Sequence, residues 1–111
     1  MTSIDDIVAL LPPPESFRQS VFAFIVKFYE LNKCGPTMLE VQEGMSKFYG
    51  RPIVKTTIWN TLTWLDSKRV ITLVRPKNKR QHLRIVVENA EWKFTGTRNV
   101  YLRKSVRLIN P

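Results

Sequence analysis

Apolar positions recur at intervals of three and four along the first two-thirds of the chain, then at intervals of two. Ser3 can cap a short helix in which Ile4, Ile7, Val8 and Leu11 fall at i, i+3, i+4 and i+7. Pro12, Pro13 and Pro14 end it, because each lacks a backbone N–H and restricts the residue before it. A second helix is expected from near Glu15 to about Asn32. Phe17, Val21, Phe24, Ile25, Phe28 and Leu31 form its apolar stripe, and Phe22 and Tyr29 widen it. A stripe that wide suggests contact with a core and with something else. Cys34-Gly35-Pro36 stops this helix, with the glycine suited to the left-handed C-cap position.

Thr37-Met38-Leu39-Glu40 fits a capping box, in which the threonine hydroxyl accepts from the amide three residues on and the glutamate reaches back. The helix it opens runs to about Tyr49 and buries Met38, Val41, Met45 and Phe48. Gly44 in its middle costs about 1 kcal/mol against alanine, which points to close helix packing there. Gly50-Arg51-Pro52 breaks it. A fourth helix follows from about Val54 to Lys68, with Val54, Ile58, Thr61, Leu62 and Leu65 on one face. The period then changes. Ile71 and Leu73 alternate with Thr72 and Val74. After the run Arg75-Pro76-Lys77-Asn78-Lys79-Arg80-Gln81, Leu83, Ile85 and Val87 alternate with Arg84 and Val86. This predicts an antiparallel hairpin with a long basic tip, and an α+β fold class. Beyond Glu88, Trp92 and Phe94 alternate, Thr95-Gly96-Thr97 can turn, and Val100, Leu102, Val106 and Leu108 continue the pattern, so a C-terminal strand or short hairpin is expected.

Composition narrows the function classes. The 111 residues suit one domain, and 43% apolar with 24% charged residues is a globular balance that excludes wholesale disorder. The longest strongly apolar stretch, Val21 to Val26, is too short to cross a bilayer. Asp5 and Asp6 stand where a secretory signal would carry positive charge, so export by a signal peptide is not expected. Cys34 and His82 are the only residues of their kinds, which leaves no intrachain disulfide and no Cys/His metal cage. No cofactor or metal is expected, and the location is expected to be cytoplasmic. The net charge of +9 is unevenly placed: residues 1–46 hold three bases against six acids, and residues 47–111 hold fifteen bases against three acids. A field so one-sided attracts polyanions. Membrane is the poorer partner, because no segment joins a Lys/Arg face to a broad apolar one as interfacial helices do.

Helix, helix, turn, helix and basic hairpin is the order of a winged helix. Pro36-Thr37-x-x-Glu40-Val41, then Thr57-Ile58-x-x-x-Leu62-x-x-Leu65, then Val70-Ile71 is similar to the winged helix-turn-helix pattern of bacterial and archaeal transcription regulators. The N-terminal domain of the SOS-response LexA repressor and the MarR-type regulators are the nearest comparisons. The resemblance covers residues 15–87, with 1–14 as an extra N-terminal helix and 88–111 as a C-terminal extension of one domain over 1–111. Two positions depart from it. Arg69 stands where those families usually place glycine, and the connection around Gly50-Arg51-Pro52 is long. The first bears on the turn, the second on how the fourth helix approaches a partner.

With Ile58 at the centre of the buried face, Thr56, Asn60, Thr63 and Ser67 fall near the opposite face of the fourth helix. Trp59 and Lys55 lie on one flank, and Thr57, Trp64 and Lys68 on the other. That outward row is short, polar and uncharged, whereas exposed helices ordinarily favour Glu, Lys and Gln. Asn can bond adenine N6 and N7 together, and Thr can offer a methyl to thymine. Lys55 near the N-terminus would sit by phosphate, where the helix dipole also favours an anion. The other reading is a polar face that meets solvent or another subunit. Trp64 is expected to wedge against the hairpin or tail, and Trp59 to pack or to touch a sugar or base methyl. At the tip, Arg75, Lys77, Lys79 and Arg80 repel one another unless something negative neutralises them, which suits phosphate contact or entry into a minor groove.

The expected function is therefore sequence-specific binding of double-stranded DNA by a nucleoid-associated transcriptional regulator with no catalytic activity. A homodimer fits small regulators that read two half-sites. No ligand-binding domain is evident, which hints at a regulator without a small-molecule effector. Two alternatives stand beside it. A winged helix can serve as a protein-, RNA- or single-strand-binding module, with Trp92, Phe94 and Tyr101 for stacking. Glu91-Trp92-Lys93 matches half of a restriction-type nuclease signature, with Asp66 or Glu88 as the further carboxylate.

Overall fold

The computed structural model describes residues 2–13, 15–75 and 83–92. Four helices precede a two-stranded antiparallel hairpin: α1 (Ile4–Ala9), α2 (Phe17–Asn32), α3 (Met38–Tyr49), α4 (Lys55–Ser67), β1 (Ile71–Val74) and β2 (Arg84–Val87). The chain is α+β. Ile71 pairs with Val87 and Leu73 with Ile85, the pairing that alternation requires if Ile71 and Ile85 are both to be buried. Among the described residues, no helix is long and apolar enough to cross a membrane.

Side-chain caps start the first three helices. The Ser3 hydroxyl accepts from the Asp6 N–H at 3.2 Å. The Ser16 hydroxyl accepts from the Gln19 N–H at 3.1 Å, so α2 begins at Phe17 and Glu15 lies outside it. The capping box is complete: the Glu40 N–H reaches the Thr37 hydroxyl at 3.2 Å, and the Thr37 N–H reaches Glu40 Oε1 at 2.8 Å. α4 has no side-chain cap, and its N-cap residue Val54 is 62% exposed rather than part of the buried face.

One core joins these elements. Val21, Phe24, Ile25 and Phe28 of α2, Val41 and Met45 of α3, and Ile58, Leu62 and Leu65 of α4 are buried with Ile7, Ile71 and Ile85. Leu31 and Tyr29 fall outside it, because the stripe of α2 runs on past the core. Gly44 sits where a Cβ would come within 2.4 Å of the Phe24 ring, so the α2–α3 crossing is as close as a mid-helix glycine implies. The amide of Asn32 accepts from the Thr2 N–H at 2.6 Å and donates to its carbonyl at 3.2 Å, pinning α1 to the end of α2. Lys47 of α3 holds Asp5 of α1 at 3.0 Å. This hydrogen bond and charge raise the Lys47 pKa, so the pairing is intact at neutral pH and is lost as pH climbs through the raised value.

Two turns differ from expectation. The left-handed residue closing α2 is Lys33, at φ 62°, and not Gly35. Gly35 has another reason to be glycine: a Cβ there would lie 1.6 Å from the Ile85 carbonyl oxygen. That approach lets residues 36–38 run beside β2, with the Ile85 N–H donating to the Pro36 carbonyl at 2.9 Å and the Met38 N–H to the Leu83 carbonyl at 3.2 Å. The Arg84 guanidinium closes over the Gly35 carbonyl at 2.6 Å and touches Cys34 Sγ at 3.9 Å. After α4, Arg69 takes φ 62° itself, the conformation glycine would favour. Its N–H donates to the Asp66 carbonyl and the Val70 N–H to the Leu65 carbonyl, a Schellman ending with Leu65 and Val70 both buried. The expected C-terminal strand or hairpin lies outside the described residues beyond Trp92, which is buried.

Two substitutions test these turns by urea unfolding at constant m-value. Arg69→Gly is expected to stabilise by about 1 kcal/mol, the cost of holding an L-residue left-handed. Gly35→Ala is expected to destabilise by about 3 kcal/mol, since backbone faces the added methyl.

Candidate nucleic-acid interface

The long connection before α4 is gripped rather than loose. Gln42 Nε2 donates to the Ile53 carbonyl at 2.9 Å, the Ser46 hydroxyl accepts from the Ile53 N–H at 3.1 Å, and the Ile53 side chain is buried. Both backbone groups of Ile53 are thus held by successive turns of α3. Together with Ile58, Thr61, Leu62 and Leu65 on the core side, this sets which face of α4 points outward.

On that outward face Thr56 and Asn60 are exposed and Thr63 and Trp59 half-buried; Lys55 and Thr57 are exposed at the uncapped N-terminus. Asn60 is exposed, and its amide makes no hydrogen bond among the described residues. Thr63 differs. Its hydroxyl donates to the Asn60 carbonyl at 3.0 Å, and the Ser67 hydroxyl donates to the Trp64 carbonyl at 2.6 Å. Thr63 therefore presents a methyl and an acceptor, not a free donor.

A cation lies over a tryptophan on each flank of this row. On one side the Arg75 guanidinium, where β1 leaves the sheet, is 6.0 Å from the Trp59 ring centre. On the other, the Arg18 guanidinium lies 4.1 Å above the Trp64 ring, and the Lys68 ammonium is 5.4 Å from the same ring. Trp64 packs against the tail as expected, edge-on to Trp92 at 6.1 Å; Trp92 in turn meets Phe22 at 5.8 Å and 87°. Trp92 thus covers Phe22, one of the two residues that widen the α2 stripe, while Tyr29 stays exposed.

Ion pairs leave these cations alone. Among the described residues the pairs are Lys27–Glu30, Lys47–Asp5 and Lys47–Glu43, all on α1, α2 and α3. Arg18, Lys55, Lys68, Arg69 and Arg75 have no carboxylate within ion-pair distance there. Of the residues singled out from the sequence, the fold brings Lys55, Thr56, Thr57, Trp59, Asn60, Thr63, Lys68 and Arg75 onto or beside one helix face. Lys77, Lys79 and Arg80 lie outside the described residues, as do His82 and Lys93. Sequence reasoning missed Arg18. It sits in the acid-rich half, and no local motif connects it to α4. For the nuclease alternative, Glu88 accepts from the Thr72 hydroxyl at 2.6 Å, Asp66 and Glu91 are exposed, and Trp92 between Glu91 and Lys93 is turned into the core.

No family model, curated protein or solved structure matches this chain.

The grip on Ile53 makes a prediction of its own. Gln42→Ala is expected to lower stability by about 1 kcal/mol, the net worth of one part-buried hydrogen bond, in urea melts. Ser46→Ala, which leaves the Ile53 N–H without its acceptor, is expected to cost as much or more.

Proposed function

We propose that this chain is a winged helix-turn-helix protein of the kind found in bacterial and archaeal transcription regulators, and that it binds duplex DNA with sequence preference. α3 and α4 form the helix-turn-helix, β1 and β2 form the sheet with residues 36–38 bridged to β2, and the segment between the strands is the wing. The reading is supported above all by the face of α4: an uncharged polar row in which the Asn60 amide makes no hydrogen bond among the described residues, flanked by cations with no carboxylate within ion-pair distance there. Asn60 and Thr56 read base edges in the major groove, and Thr63 offers its methyl to thymine. Lys55 and the open amides at the start of α4 take phosphate. Arg75 leads into the run containing Lys77, Lys79 and Arg80, whose charges take phosphate or enter the minor groove. Binding is the whole activity in this reading, and its place is the nucleoid. Trp92, offered by the sequence as a stacking platform for single strands, is only 7% exposed, which weighs against the single-strand alternative.

Selection from randomised duplexes with the purified chain would identify the preferred site. Asn60→Ala is then expected to cost about 1–3 kcal/mol on that site and little on random duplex. Arg75→Ala is expected to weaken both alike and to make the dependence of log K on log salt shallower by about 1. Equal affinity for duplex, single-stranded DNA and RNA at matched salt would overturn the reading.

A further inference from the structure

We propose that Arg18 of α2, together with Lys68, contacts the phosphodiester backbone on the strand opposite the one that Arg75 contacts, so that α4 is held in the groove from both walls. The inference rests on the duplex-binding reading above and assigns it a residue from the otherwise acidic half of the chain. Arg18 is exposed in the first turn of α2, and its guanidinium is fixed 4.1 Å above the Trp64 ring. Lys68 reaches the same ring from the end of α4, at 5.4 Å. Two cations drawn onto one indole repel each other, and among the described residues no carboxylate lies within ion-pair distance of either. The face of the indole holds them in place but carries no net charge to offset theirs. A polyanion would.

Position gives the strand. Trp59 and Trp64 are five residues apart on α4, which separates them by about 140° around the helix axis, one on each side of Asn60. A helix lying in the major groove has the backbone of one strand on each flank, across a width of about 12 Å. Arg75 over Trp59 therefore faces one strand, and Arg18 with Lys68 over Trp64 faces the other. Stacking on tryptophan also removes much of the side-chain freedom an arginine would otherwise lose on binding.

The experiment uses the full chain and measures affinity for the selected duplex and a random duplex from about 50 to 200 mM salt. Arg18→Gln is expected to lower affinity by a similar factor on both, and to make the salt slope shallower by about 1. Arg18→Lys keeps the charge and is expected to keep the slope. A residue that only packed on Trp64 would move stability but not the slope. Duplexes with neutral methylphosphonates on one strand then locate the contact: neutralising one strand should erase the effect of Arg18→Gln and leave that of Arg75→Gln, and the other strand should do the reverse. An unchanged slope for Arg18→Gln in a protein that still prefers its duplex site overturns this inference and leaves the duplex reading standing. So does a loss confined to the selected site, or both variants answering to the same strand. Should Arg18→Gln not fold, an unchanged slope for Lys68→Gln overturns it equally. Absence of duplex binding by the unaltered chain overturns both.

Discussion

The close approach of two backbone segments at Gly35 and Ile85 ties the helices to the hairpin. Any side chain at residue 35 would meet the Ile85 carbonyl. With none there, Pro36 and Met38 bond to the β2 side of the hairpin, and Arg84 closes over the Gly35 carbonyl. β2 is thus fastened to the start of α3, while β1 follows α4 after one tight turn. The hairpin is held at both ends, and Arg75 arrives beside Trp59 as a consequence. Register matters as much as contact, because a slip of one residue would carry Ile85 out of the core and Arg84 into it.

Charge is sorted by the same architecture. Asp5, Glu30 and Glu43 of the first half meet Lys27 of α2 and Lys47 of α3, in pairs that are solvent-exposed and individually worth little. Around α4, Arg18, Lys68 and Arg75 instead lie against indole rings. The rings orient cations without cancelling them, so positive potential persists on the side where the helix shows its uncharged row. Trp64 has two jobs in this arrangement. It carries Arg18 and Lys68 on the outside and abuts Trp92 on the inside, so the same side chain links the interface to the core.

Most of the fold was legible in the order of residues, and the exceptions have physical reasons. The capping box at Thr37, the close crossing at Gly44 and the pairing of Ile71 and Ile85 with the core follow from rules that act over a few residues. The ends of α2 were less legible. Gly35 looks like a helix terminator, yet Lys33 takes the left-handed turn first, and the glycine answers to a strand fifty residues away. Arg69 shows the converse. Sequence marks it as a poor residue for a left-handed position, but Leu65 and Val70 are both drawn into the core, and their burial holds the turn despite that.

The face of α4 illustrates the division. Helical periodicity alone determined that Thr56, Asn60 and Thr63 share a side, because spacing along a helix fixes direction around its axis. It could not say that the Thr63 hydroxyl is spent on the Asn60 carbonyl while the Asn60 amide is left without a hydrogen bond among the described residues. Nor could it bring Arg18 to Trp64, since that meeting depends on how α2 and α4 cross over a shared core. Sequence by itself determined the four helices and the hairpin, most of their apolar faces and the one-sided charge, all properties of near neighbours or of simple sums. Tertiary structure decided which cations flank the outward row and what holds them, because contacts between distant residues form only once burial has set the helices against one another.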